Sequence, residues 1–516
     1  MQFIDKNALI AAALLALGTA VCAAPAAPDR PAASGADSFQ EIESRVTQFR
    51  LSNGMTFLVL ERHQAPVAAF VTFADVGSVQ DGRGKTGLAH IFEHMAFKGT
   101  ETIGTSDYAK ERIALDEVDR AFDALKAERL KDAKADPEKL KQLQQAFKAA
   151  QENTGKFVVR NEFGQAIERA GGRGLNASTS ADVTQYFFSL PSNEQELWFY
   201  LESERFRAPV LREFYKERDV VMEERRMRTD NSPIGRLIEE FVHAAYIAHP
   251  YNTPPIGYIS DLENVTRADA QAFFKKYYIP SNLTCAVIGD VDPRHVRELA
   301  ETYFGGIPSA PKPEPLNTTE PPQNAERQVV LHLASQPVLI MGYHKGDINS
   351  PDEAVYDAIS SLLSEGRSSR LYRGLVRDRK IAVESEGVAH YPGEKYPGLF
   401  AFVAFPAQGH TNAECRKAIE EEIERLKTQP VGAEELDGVK RRARANLLRG
   451  LDDNTSLGVQ LAKWQTLTGD WRNLFRDLDA IDRVTPEDIE RVAKATFVDG
   501  NRTIGEIVPL DVAEAH

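Results

Sequence analysis

Cysteine is nearly absent from this chain, with three in 516 residues. Cys22 falls near the amino terminus, and Cys285 and Cys415 lie in segments that read as separate domains, so no disulfide framework is expected. Two isolated cysteines cannot build a zinc knuckle either, which leaves histidine and carboxylate as the only donors for a metal. Positive charge is in deficit, 62 Lys and Arg against 76 Asp and Glu, for a formal net charge of −14. That balance argues against nucleic acid or an anionic membrane as the main partner. Long apolar runs are missing too. The one candidate, Ala8 to Ala20, is short for a membrane span. It follows Lys6 and precedes the small-x-small sequence Val21-Cys22-Ala23, so residues 1–23 read as a cleaved secretory signal. Export to the periplasm is expected, or a secreted form. Residues 24–40, rich in Ala, Pro, Ser and Asp, read as a flexible leader.

What is present describes an ordinary globular protein, 42% hydrophobic and 27% charged. The length exceeds one ordinary core and predicts at least two domains. Boundaries fall at 41–307 for the first domain, 308–325 for a Pro-rich linker, and 326–516 for the second. In the first, Thr56–Leu60 and Ala68–Phe73 read as paired strands, with Asn53-Gly54 as a tight turn before them. A charged helical hairpin follows at about 106–153. Leu115, Val118, Phe122 and Leu125 make one apolar stripe there, Leu140, Leu143, Phe147 and Ala150 the other. Asp136-Pro137-Glu138 starts the second helix. Asn176 to Leu190 reads as one alternating strand, and Leu283–Gly289 as another. After the linker the order strand, strand, helix recurs from Gln328, which suggests a duplicated α+β unit.

The chemistry concentrates in His90-Ile91-Phe92-Glu93-His94. On a helix, positions i, i+3 and i+4 share one face, so both imidazoles and the carboxylate point into the same space. Two neutral imidazoles a turn apart can grip zinc, with the carboxylate placed to take a proton from metal-activated water. With 11 His in the chain, coincidence accounts for such a pattern in only a few per cent of cases, roughly. Catalytic zinc usually has a third protein ligand. The helical stretch Lys216 to Arg225 supplies Glu217 and Glu224, seven apart and on one face. One could bind metal while the other hydrogen-bonds a histidine ring.

Taken together, these segments resemble the M16 (pitrilysin or insulinase-like) metallopeptidases, in the two-domain form close to the mitochondrial processing peptidase type. The carriers are Gly87 through Thr100 around the motif, Asn176-Ala177-Ser178-Thr179-Ser180, Glu217 through Glu224, Val287 through Pro293, and Gly366 through Leu371. The resemblance runs from about Val46 to Leu510. It implies two similar α/β sandwich domains, only the first carrying the zinc motif, with the hairpin as an insertion. It makes His90, His94 and Glu224 the ligands of one Zn²⁺ per chain, Glu93 the general base, and Glu217 the acid supporting a ligand. Asn176 and Ala177 fall on the sheet edge to which family members add substrate as a strand. Arg377 matches an arginine that helps hold the substrate near the scissile carbonyl. The tyrosine expected two turns later is replaced by Val383, with Glu384 beside it. A partner subunit could supply the missing group, or another tyrosine such as Tyr391. The implied activity is a zinc-dependent endopeptidase acting on peptides or unfolded protein segments. The alternative is a catalytically weak or inactive peptide-binding subunit that works with a partner chain. A homodimer, or a heterodimer with another M16-like chain, is the expected assembly.

Overall fold

The computed structural model describes residues 35–510. The expected signal and most of the leader lie outside the described residues. Residues 35–40 do not continue as a flexible leader. They open a helix, Gly35–Arg45, because Phe39 and Ile42 find an apolar seat beside Phe475 and Trp471.

Two sheets organise the molecule. The first holds β1 (Thr47–Arg50), β2 (Thr56–Glu61), β3 (Val67–Ala74), β4 (Arg173–Thr179), β5 (Thr184–Pro191) and β6 (Leu283–Gly289), in the order β1-β2-β6-β3-β5-β4. The second holds β7 (Arg327–Leu333), β8 (Val338–His344), β9 (Ala382–Tyr391), β10 (Leu399–Pro406) and β11 (Arg502–Pro509), in the order β7-β11-β8-β10-β9. With β1 set aside, the two orders match strand for strand. The last strand of each unit runs parallel to the first and antiparallel to the second. The α+β unit is therefore duplicated in topology.

Two expectations need correction. β2 and β3 are not paired, because β6 lies between them. β6 is buried along its whole length and so belongs in the middle of a sheet rather than at its margin. The stretch 176–190 is a hairpin, β4 and β5, not one strand. Ser180 makes the turn: its hydroxyl donates to the Val183 carbonyl and accepts from the amides of Asp182 and Val183.

The two units interchange cover. A helix of the first unit, Pro233–Ala245, lays Leu237, Phe241 and Val242 on the second sheet against Val338, Ile340, Leu399 and Ile507. A helix of the second, Asn454–Thr468, lays Leu457 and Leu461 on the first sheet against Leu58, Val71 and Ile288. Gly458 lets that helix sit close, since a Cβ there would lie 2.9 Å from Val71 Cγ2. The connection between the units carries no helix or strand from 308 to 326, yet it is pinned. The Glu320 carboxylate accepts the amides of Ile247, Ala248 and His249 at 2.8–2.9 Å. The helical hairpin forms as Tyr108–Arg129 and Pro137–Thr154, with Asp136 capping the second helix, and both stripes face the first core.

Candidate metal centre

The motif helix is Leu88–Met95. Leu88, Ala89, Ile91, Phe92 and Met95 are buried in the first core, which turns His90, Glu93 and His94 toward the opposite side. Its amino end is fixed by Asp81, whose carboxylate accepts the amides of Gly87 at 2.7 Å and Ala89 at 3.0 Å. Burial raises the Asp81 pKa to about 8, against the helix amides, which favour the charged form. The imidazole centroids of His90 and His94 are 4.9 Å apart with planes at 86°.

The helix Phe214–Arg225 packs alongside and brings both acids to the imidazoles. Glu224 Oε2 lies 3.7 Å from His90 Nε2 and 3.6 Å from His94 Nε2. Glu217 Oε2 lies 3.6 Å from the other nitrogen of His94, Nδ1. Glu223, adjacent in sequence, turns away to pair with Arg226. One ligand atom each from His90, His94 and Glu224 falls within a 4.8 Å group, and it is the sole such cluster among the described residues. Four ligands at zinc–ligand distances of about 2.0–2.2 Å stand roughly 3.3–3.6 Å apart around a tetrahedral ion. The two separations from Glu224, 3.6 and 3.7 Å, are close to that spacing, and the third edge, between the imidazoles, lies within 4.8 Å, so the set fits zinc once the ligands draw inward.

The protonation state of His90 suits the same fit, while His94 gives up a proton to become a ligand. Burial drives the His90 pKa down to about 3, helped by His94 and Arg228, so its ring is neutral and its lone pair available. Its Nδ1 is buried without a hydrogen-bond partner. At His94 burial also disfavours the cation, but the carboxylates of Glu217, Glu93 and Glu224 outweigh it and raise the pKa. Burial raises Glu93, with Glu224 adding to the effect and the Thr179 hydroxyl and His94 opposing it. Burial pushes Glu217 the same way, but His94 and Lys98 prevail and hold it below the usual carboxylate range.

The roles of three neighbours were not read from the sequence. Lys98 Nζ sits 2.5 Å from Glu217 Oε1, one turn beyond His94. Arg228 lies 2.8 Å from Glu224 Oε1, which leaves Oε2 to face the histidines. Their spacings of four residues, His94 to Lys98 and Glu224 to Arg228, were the available signals. Thr179, at the end of β4, carries the hydroxyl beside Glu93.

Asn176 and Ala177 lie on β4, which is the margin of the first sheet and packs against the motif helix. The Asn176 side-chain oxygen accepts the Ala177 amide at 2.9 Å. Arg377 is not brought to the cluster. It lies in a π-helical turn, Tyr372–Asp378, and forms a two-point pair with Asp378 at 2.6 and 3.1 Å. Val383 is 62% exposed on the edge strand β9. Tyr391 cannot take the missing tyrosine's place. It is 3% exposed, and its ring packs on Phe241 in the apolar layer between the units.

Residues 57–122 match the family model described as Insulinase (Peptidase family M16), and residues 264–443 match that of the Peptidase M16 inactive domain. The zinc protease PqqE of Helicobacter pylori is 31% identical over 445 residues, 83% of this chain and 84% of that protein. The chain belongs to peptidase family M16. Among solved structures, a protease from Helicobacter pylori superposes with a TM-score of 0.75 at 27% identity, covering 90% of this chain and 99% of that one. The first half of the periplasmic protease PqqL from Escherichia coli does so with a TM-score of 0.65 at 18% identity, covering 90% and 92%, which speaks for the fold alone. The two-unit architecture is thus that of M16 proteins, and the chain is zinc-protease-like. Among the described residues, no helix is long and apolar enough to cross a membrane.

Proposed function

We propose that this M16 protein is a zinc-dependent endopeptidase that cleaves peptides or unfolded protein segments. The observation that carries the reading is the convergence of His90, His94 and Glu224 in one 4.8 Å group with Glu93 on the same helix face. In this reading those three residues hold one Zn²⁺ per chain, and Glu217 orients His94 through Nδ1. Zinc, when bound, supplies Lewis acidity toward water and the scissile carbonyl. Glu93 takes the proton of the attacking water and hands it to the departing amine. Its raised pKa suits a group that must first gain and then lose that proton. The free edge of β4 around Asn176 and Ala177 offers main-chain groups to an extended substrate. Arg377 joins the substrate only if it gives up Asp378. The cleaved signal over 1–23 and a periplasmic location remain part of the proposal.

The deciding experiment compares the purified chain with two variants on a quenched peptide library. Glu93→Gln should keep one zinc per chain and lose cleavage by about 10²–10⁴-fold. His94→Ala should lose the zinc itself, measured by atomic absorption. Cleavage retained by Glu93→Gln defeats the assignment.

The second reading, a weak or inactive subunit completed by another M16-like chain, is favoured by Val383. An exposed valine cannot donate the hydrogen bond expected at that position. Activity of the isolated chain that a chelator abolishes rejects this reading. Activity that appears only with an added partner chain supports it.

A further inference from the structure

We propose that Asp182 is a positioning residue through which the second unit sets β4, the strand that receives substrate. The proposal rests on the peptidase reading for what β4 does, but not for how β4 is held.

β4 is a marginal strand with one neighbour, β5, and its pairing is interrupted between Arg173 and Asn176. Its placement therefore depends on the turn at residues 180–183. That turn is gripped from two sides. On the first unit's side, the amides of Ser78 and Val79 donate to the carbonyls of Ser180 and Ala181, each at 3.1 Å. On the other side, Asp182 reaches into the segment that follows β9. Its Oδ2 accepts the amides of Glu394 at 2.7 Å and Lys395 at 3.0 Å, and its Oδ1 accepts the Tyr251 hydroxyl at 2.7 Å.

Asp182 is 4% exposed. A buried carboxylate answered by three directed donors fixes geometry more tightly than a mobile surface pair. Gly393 shows how closely the second unit approaches. A Cβ at that position would lie 2.5 Å from Asp182 Oδ2 and 2.4 Å from the Tyr251 hydroxyl oxygen. The consequence reaches the chemistry through β4 itself, which ends at Thr179, three residues before Asp182, and packs against the motif helix. A shift of the turn therefore moves both the strand that pairs with peptide and the surface on which the motif helix rests. This gives the unit without a metal motif a definite task.

The test uses the full zinc-loaded chain and two quenched peptides sharing one cleavage sequence. One is about ten residues, long enough to pair along β4, and the other about four. Asp182→Ala and Gly393→Ala should each lower the ratio of kcat/KM, long over short, about tenfold, the scale of one lost charge-assisted hydrogen bond. Asp182→Asn, which keeps one acceptor oxygen, should fall between these variants and the parent. Zinc content should stay at one per chain. Amide exchange across residues 173–183 should quicken about tenfold, while that of 88–95 does not change. Gly393→Ala reaches the contact from the second unit, so the test survives if Asp182→Ala fails to fold. An unchanged ratio in a folded, zinc-loaded variant overturns the proposal. If the parent cleaves neither peptide, the peptidase reading fails, and exchange alone decides: an unaltered rate at 173–183 overturns the positioning role.

Discussion

The two units share a strand order, but they spend the polar face of the equivalent helix differently. After β3 the motif helix turns His90 and His94 to two acids of another helix, and only Glu93 meets its own sheet, at Thr179 of β4. After β8 the corresponding helix, Glu353–Ser364, turns Ser360 and Ser364 to the neighbouring strand β9. Both hydroxyls donate to the Gly387 carbonyl, at 2.8 and 3.1 Å, and the Gly387 amide donates back to Ser364. The second helix is thus tied to its own sheet margin by the side chains that would otherwise face a ligand. In the first unit the equivalent space is left to imidazoles and to two acids from another helix. A duplicated scaffold yields a candidate metal centre in the copy whose polar positions are not consumed locally.

The interchanged helices predict that neither unit is stable without the other. Phe241 of the first unit and Leu461 of the second are both fully buried under the opposite sheet. Phe241→Ala should cost about 3–5 kcal/mol and Leu461→Ala about 2–5 kcal/mol. Each change should lower one shared unfolding transition rather than split it, as read by calorimetry and by fluorescence of Trp198 and Trp471. Two separated transitions would show the units to be independent.

Much of this contrast was legible before any coordinates, for a physical reason. The i, i+3, i+4 grouping of His90, Glu93 and His94 is a property of helix geometry and needs no tertiary information. The apolar stripes of the hairpin at 106–153 follow from the same periodicity. What spacing could not decide was the division of labour between Glu217 and Glu224, because both lie on one helix face. Only the crossing of two helices assigns Glu224 to the Nε2 atoms and Glu217 to Nδ1 of His94. Strand neighbours were also hidden. Nothing local tells β2 that its partner is β6, more than two hundred residues away. Tyr391 looked available in the sequence, and it is buried because Phe241 arrives from the other unit.

A smaller effect is expected beside the histidines of the first unit. Arg228 holds Glu224 Oε1 at 2.8 Å from a π-helical turn, Arg226–Asp230, that follows the acidic helix. Its side chain is 73% exposed, so solvent screens most of its charge. What it supplies is orientation, keeping Oε2 toward the histidines. Arg228→Ala should weaken zinc binding about tenfold, the low end for a group supporting a ligand, with melting in the metal-free state little changed. Competition with a chromogenic chelator measures this. Unchanged affinity would mean that Glu224 needs no such support.

The smallest effect belongs to the second unit, which holds a histidine of the opposite electrostatic character to His90. His390 on β9 lies between Glu353, 3.0 Å from Nδ1, and Asp357, 2.8 Å from Nε2. Burial opposes its charge, but Asp357, Glu353 and Glu394 outweigh it and raise the pKa to about 10. A folded pKa above the unfolded value means that the stabilisation is complete below pH 6.5 or so and drains away as pH climbs toward 10. The side chain keeps 26% exposure, so the contribution is modest. The melting temperature should therefore decline between about pH 6.5 and 10, and His390→Gln should flatten that slope while lowering stability at pH 6. His90, with its pKa depressed by burial, contributes no such slope in that range. A variant whose pH profile parallels the parent's would show that the His390 cation is not what the two carboxylates hold in place.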